Sequence, residues 1–175
     1  DINFEEEETV ETKDYLEMIR LKTSILFGAA AYGGAKIGGT TEEEARVLEQ
    51  MAINVGLGFQ IWDDYLDATA SEEILGKPSG SDIRQGKRTL LVIEALNKAD
   101  EKERKKLLQL LDSENTDEDV REAVTIIDEC GALEECHRQA NGYLDGARKT
   151  LSKYPEGEAR ELFEELLEYM VTRGH

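Results

Sequence analysis

Gly58-Phe59-Gln60-Ile61-Trp62-Asp63-Asp64-Tyr65-Leu66-Asp67 is the stretch whose reading decides the fold. It lies in a proline-free run, from about Thr41 to Ala70, with helical patterning. A helix turns about 100° per residue. Asp63 and Asp67 therefore stand one turn apart on one face, with Asp64 beside them and Gln60 one turn before Asp64. Phe59, Gln60, Asp63, Asp64 and Asp67 share that face, and Leu57, Ile61, Trp62, Tyr65 and Leu66 supply apolar or aromatic surface elsewhere. A helix that is apolar around most of its circumference is buried. Three carboxylates on such a helix raise each other's pKa through like charge and desolvation. A hard cation resolves the conflict, and Mg²⁺ suits it, because Mg²⁺ keeps waters and shares its shell with substrate phosphates. A bare pair of aspartates with a third at this spacing is more often a solvated acidic patch. The apolar flanks and the basic loop that follows favour the metal.

The chain has 175 residues, enough for one domain with a real core. Two prolines and 34% charged residues favour an all-helical domain. The net charge of −18 argues against nucleic-acid binding by bulk electrostatics. It also repels anionic substrates, except where a metal or clustered lysines reverse the local field. Cys130 and Cys136 stand six apart, which is neither a metal-binding spacing nor a disulfide framework, and they read as thiols in a reducing compartment. His137 has no catalytic neighbour in sequence and reads as structural or exposed. The most apolar stretch, Thr23 to Tyr32, is too short to span a bilayer. No signal peptide is visible, so the expected location is cytoplasmic.

Outward from the central helix, residues 1–12 are acidic and read as a loop or linker. A helix is expected from about Lys13 to Ile37, stopped by Gly38-Gly39. Tyr15, Met18, Ile19, Lys22, Ile25, Leu26 and Ala29 form one stripe on it, in which Lys22 is the only charge. Lys22 either snorkels to the surface or points into a cavity that holds an anion. Thr23 beside it can bond a preceding carbonyl and bend the helix. Thr41 and Glu44 form a capping box that starts the central helix. Ser71 to Gly86 reads as a loop with Lys77 and Arg84, followed by Lys87 and Arg88. Cations at the start of the next helix, about Thr89 to Leu96, oppose its macrodipole. They make sense where an anion sits between them and free backbone amides. Helices are then expected over Asp100 to Leu111, from Thr116 to Cys130, over Leu133 to Lys153, and from Gly157 to about Arg173.

Three blocks resemble a known family. Leu21-Lys22-Thr23, then Phe59-Gln60-x-x-Asp63-Asp64-x-x-Asp67, then Gly76-Lys77-Pro78-x-Gly80-x-Asp82-Ile83-x-x-Gly86-Lys87-x-Thr89-Leu90, look like the second half of trans-isoprenyl diphosphate synthases. The resemblance covers nearly the whole chain. It is nearest in style to archaeal and bacterial geranylgeranyl or farnesyl diphosphate synthases. It implies an all-α antiparallel bundle of the terpenoid-synthase fold, with residues 1–175 forming the C-terminal half of one domain. It implies head-to-tail condensation of an allylic diphosphate with isopentenyl diphosphate. By matching positions, Asp63, Asp64 and Asp67 are the metal-binding motif, and Asp63 ligates the Mg²⁺ that bridges the allylic diphosphate. Lys22 and Lys77 hold that diphosphate, with Lys87 in the same basic loop. Thr23 and Gln60 face the reacting allylic carbons, and Phe59 lines the isopentenyl side. Family members run to about twice this length. Their first aspartate-rich motif, the arginine pair after it and the basic site for isopentenyl diphosphate all precede the position of Asp1. The chain alone is therefore expected to be inactive, and a homodimer or a partner supplying the N-terminal half is expected.

The chemistry stands without the family name. Breaking a carbon–oxygen bond leaves an allylic cation, and the departing diphosphate gathers charge that Mg²⁺ and fixed lysines stabilise. A terpene cyclase would need Ser or Thr where Asp67 stands and Glu where Ser71 stands. The remaining alternative is a non-catalytic helical subunit or dimerisation module of a prenyl synthase complex.

Overall fold

The structure is a computed structural model, and it describes residues 10–70, 79–112 and 115–172. Among the described residues every regular element is helical. The helices are α1 (Thr12–Ile19), α2 (Ile25–Ile37), α3 (Glu42–Thr69), α4 (Ser81–Arg84), α5 (Leu90–Lys98), α6 (Glu101–Leu111), α7 (Asp117–Glu129), α8 (Ala132–Leu151) and α9 (Glu158–Thr172). A π-helical turn, Arg20–Ser24, joins α1 to α2. No described helix is long and apolar enough to cross a membrane.

Local chemistry starts and stops these helices. The Thr41 hydroxyl accepts from the Glu44 amide at 3.2 Å, and the Glu44 carboxylate accepts from the Thr41 amide at 3.0 Å, which forms the predicted box ahead of α3. Reciprocal boxes also start α6, with Asp100 and Glu103, and α7, with Thr116 and Asp119. Such caps contribute roughly 1 kcal/mol each.

The helix expected over Lys13 to Ile37 is interrupted. Tyr15 and Ile19 are buried, and burial resumes at Ser24, Gly28 and Ala35. The step from Ile19 to Ser24 is five residues, which is what one π turn supplies. The extra residue rotates everything after it by roughly 100°. Ile25, Leu26 and Ala29 of the apolar stripe are exposed as a result, Leu26 by 74%, and Lys22 is exposed with them, the first of its two alternatives. The stretch expected as one loop from Ser71 to Gly86 contains the single turn α4.

The chain divides into two compact units. Of the described residues, unit one holds 10–15, 61–70, 79–112 and 115–138, and unit two holds 16–60 and 139–172. In unit one, Tyr15, Ile61, Trp62, Leu90, Ile93, Leu107, Ile127 and Cys136 are almost fully buried. In unit two, Met51 and Val55 of α3 pack with Leu144, Ala147 and Leu151 of α8 and with Leu167 and Met170 of α9. Burying one such side chain contributes roughly 1.5–3 kcal/mol. The unit boundary falls within α3, between Gln60 and Ile61.

Candidate functional site

The three aspartates of α3 meet three different environments within unit one. Asp63 is exposed, whereas Asp64 and Asp67 are buried. The Tyr15 hydroxyl donates to Asp64 Oδ2 at 2.6 Å. Asp67 accepts from the Ser81 hydroxyl at 2.6 Å on Oδ1 and from the Asp82 amide at 2.9 Å on Oδ2. Its backbone carbonyl accepts from the Gly80 amide, also at 2.6 Å. Gly80 takes φ 72°, a left-handed conformation that costs glycine little. Asp67 thus holds the start of α4 against the end of α3.

This anchorage places the basic residues that follow. Lys87 Nζ donates to Asp82 Oδ1 at 2.6 Å. Burial alone would lower its pKa. The hydrogen bond to Asp82 and the charges of Asp82, Asp64 and Asp67 outweigh that and hold it above the ordinary lysine value. Arg84 turns to Asp117 at 2.6 Å and to the Asn115 carbonyl at 3.3 Å. Arg88, buried, reaches Asp112 at 3.1 Å and the Gly86 carbonyl at 3.2 Å. The three described basic residues of this segment, Arg84, Lys87 and Arg88, are therefore each engaged in an ion pair, which sequence spacing alone did not reveal. Lys77 lies outside the described residues.

In unit two, the Thr23 hydroxyl donates to Gln60 Oε1 at 2.9 Å. A threonine in a helix can bond its own backbone, but the Thr23 hydroxyl bonds Gln60 of α3. Gly56 permits the approach, because a Cβ there would stand 2.6 Å from Ser24 Cα. Lys22 is exposed on the π turn. Phe59 packs on Phe27, with ring centroids 5.8 Å apart. An apolar cavity of about 430 Å³ opens beside them, lined among others by Phe27, Ala31, Gly34, Met51, Val55 and Leu167. Small residues on α2 make the room.

Elsewhere in unit one, the rings of Trp62 and Tyr65 stack with centroids 5.0 Å apart, and His137 lies 5.2 Å from Trp62. This gives His137 a packing role. Cys130 and Cys136 are free thiols, and burial pushes the Cys136 thiol far above the usual range.

Mg²⁺ takes six oxygens and dehydrates reluctantly, so protein sites for it offer one or two carboxylates and leave the rest to water and phosphate. Among the described residues no group of three or more His, Cys, Asp or Glu side chains is arranged to hold a metal ion. One exposed carboxylate, Asp63, beside two that are held in place fits a partial shell of that kind.

A family model for polyprenyl synthetases matches residues 1–127. The chain is 41% identical over its full length to a short chain isoprenyl diphosphate synthase of Methanothermobacter thermautotrophicus, of which it covers 54%. It is 38% identical to a geranylgeranyl diphosphate synthase of Methanosarcina mazei, covering 52%. The crystal structure of a geranylgeranyl pyrophosphate synthetase from Pyrococcus horikoshii superposes with a TM-score of 0.92 at 39% identity, over 99% of this chain and 53% of that one. A polyprenyl synthase from Caulobacter crescentus, complexed with calcium and isoprenyl diphosphate, gives 0.91 at 33% identity, over 99% and 53%. The all-helical backbone therefore matches the terpenoid-synthase fold of these enzymes. The chain spans about half the length of the relatives it matches. With the fold, the motif blocks and these similarities in agreement, the chain belongs to the polyprenyl synthetase family.

Proposed function

We propose that residues 1–175 form the second half of one trans-isoprenyl diphosphate synthase domain. That half binds Mg²⁺ and an allylic diphosphate for head-to-tail condensation with isopentenyl diphosphate. The observation that carries this reading is the acidic end of α3. Asp63 faces solvent, while Tyr15 and Ser81 hold Asp64 and Asp67 at 2.6 Å each. The Caulobacter relative, with its calcium and isoprenyl diphosphate, supports a divalent cation and a diphosphate in this family.

Asp63, Asp64 and Asp67 would hold the Mg²⁺, Asp63 directly and Asp67 through water. Asp67 accepts from the Ser81 hydroxyl on one oxygen and from the Asp82 amide on the other, which holds its carboxylate in place. Bound there, Mg²⁺ would neutralise charge gathering on the leaving diphosphate. Lys22, Lys77 and Lys87 would bind the same diphosphate as fixed cations. Thr23 donates its hydroxyl to Gln60, which orients the Gln60 amide, and the pair would face the reacting allylic carbons. Phe59 would line the isopentenyl side. The apolar cavity would take hydrocarbon and exclude the water that quenches an allylic cation. The first aspartate-rich motif and the basic site for isopentenyl diphosphate would come from a partner or from the N-terminal half of the domain, in a cytoplasmic enzyme.

A second reading, a non-catalytic helical subunit, is favoured by the exposed Leu162, Phe163, Leu166 and Tyr169 on α9. Incubation with labelled isopentenyl and allylic diphosphates, with and without the N-terminal half, separates the two. Product formed only with that half present supports the enzyme reading. No product in the reconstituted protein, with the two parts stably associated, favours the subunit.

A further inference from the structure

Sequence periodicity makes Tyr15 one more apolar position of α1. The structure gives its hydroxyl a specific partner 49 residues away, Asp64 Oδ2 at 2.6 Å, with both side chains buried. We propose that Tyr15 is a positioning residue of the acidic edge: its hydroxyl fixes the Asp64 carboxylate so that α1 becomes part of the site that binds a divalent cation and diphosphate. The inference rests on the metal-site reading given above.

Three observations carry it. The distance is that of a charge-assisted bond from O–H to an ionised carboxylate. Such a bond removes rotational freedom from Asp64 and withdraws charge from it. Asp63 and Asp64 are neighbours in sequence, and two adjacent carboxylates repel each other until a cation arrives. A donor dedicated to one of them offsets part of that repulsion. Finally, α1 has an independent tie to α5, the Thr12 hydroxyl donating to Glu94 Oε1 at 3.3 Å. Removing the Tyr15 hydroxyl while keeping its ring therefore leaves α1 another anchor.

The test is Mg²⁺-dependent binding of inorganic pyrophosphate to the 175-residue chain, measured by calorimetry. The proteins are the parent chain, Tyr15→Phe, Asp64→Asn, the double variant and Asp63→Asn. Tyr15→Phe should weaken binding about fivefold, the effect of one net hydrogen bond. In the Asp64→Asn background it should cause no further loss, because the two residues act as one unit. Equal affinity of the parent and Tyr15→Phe, or the same loss in both backgrounds, overturns the positioning role. No binding by the parent, or undiminished binding by Asp63→Asn, overturns the metal-site reading and this inference with it. If Tyr15→Phe does not fold, 3-fluorotyrosine at position 15 decides. Its fluorine resonance should move when Mg²⁺ and pyrophosphate are added, and not in the Asp64→Asn chain. A resonance that stays fixed in the parent overturns the proposal.

Discussion

The Thr23 hydroxyl donates to the Gln60 side-chain carbonyl at 2.9 Å, joining residues 37 positions apart in sequence. It connects two of the three motif blocks through one hydrogen bond. Thr23→Val keeps the shape and removes the donor, leaving a half-buried amide oxygen with one partner fewer. The expected loss is about 1 kcal/mol of stability, read by urea unfolding. In enzyme reconstituted with the N-terminal half, turnover should fall further than this loss explains. Unchanged turnover would remove Thr23 and Gln60 from the reaction.

Gly56 sets the approach that this bond needs. Its absent Cβ would lie 2.6 Å from Ser24 Cα, a backbone atom that cannot swing aside. Gly56→Ala should therefore cost roughly 1–3 kcal/mol through overpacking and lower Tm by roughly 3–10 °C for a chain of this size. A melting temperature equal to the parent's would mean that the π turn accommodates the methyl group.

Asp63→Ala should abolish Mg²⁺-dependent pyrophosphate binding and, in reconstituted enzyme, lower turnover by roughly a hundred- to a thousandfold. Asp67→Ala should behave differently. It strips the Ser81 hydroxyl and the Asp82 amide of their acceptor and loosens α4, so melting should fall along with binding. Lys105→Ala, on the exposed side of α6, serves as the control and should move neither quantity. Glu103, the obvious surface alternative, is unsuitable because its side chain completes the cap of α6.

The Lys87–Asp82 pair makes an alkaline prediction. The folded pKa of Lys87 stands above the ordinary 10.5, so the folded chain binds the proton more tightly than the unfolded one. Stability from this source is complete below that value and is lost as pH rises through the folded pKa. Lys87→Met should flatten the fall in melting temperature above about pH 10.5 and leave its neutral-pH slope unchanged. A parent profile that stays level through this window would contradict the assignment.

Leu162, Phe163, Leu166 and Tyr169 on α9 and Leu26 on α2 are large, apolar and exposed within unit two. Exposed apolar patches of this kind drive association. Sedimentation should show a dimer or larger species at micromolar concentration. Leu166→Glu combined with Tyr169→Glu should shift it towards monomer. A parent that sediments as a monomer throughout would exclude self-association through this face.

The sequence by itself determined the family, most of the helices and the cap ahead of α3. These rest on short-range chemistry. Apolar spacing reports a helix, and a cap needs only residues three apart, as at Thr41 and Glu44. The glycine past an end, such as Gly131 at φ 75°, is equally local. Side-chain type and spacing single out Asp63, Asp64 and Asp67 as candidates, whereas the roles proposed for Lys22 and Thr23 come from the resemblance. Tertiary structure alone decided which of the three aspartates faces solvent. It also decided that Tyr15 is a donor to Asp64, and that Asp67 organises α4. Each of these depends on a partner from 14 to 49 residues away. The π turn was hidden for a related reason. Periodicity assumes about 100° per residue throughout, and one inserted residue at Arg20–Ser24 breaks that assumption. The insertion turns Leu26 outward and lets Ser24 meet Gly56, a choice made by packing between helices and not by either helix alone.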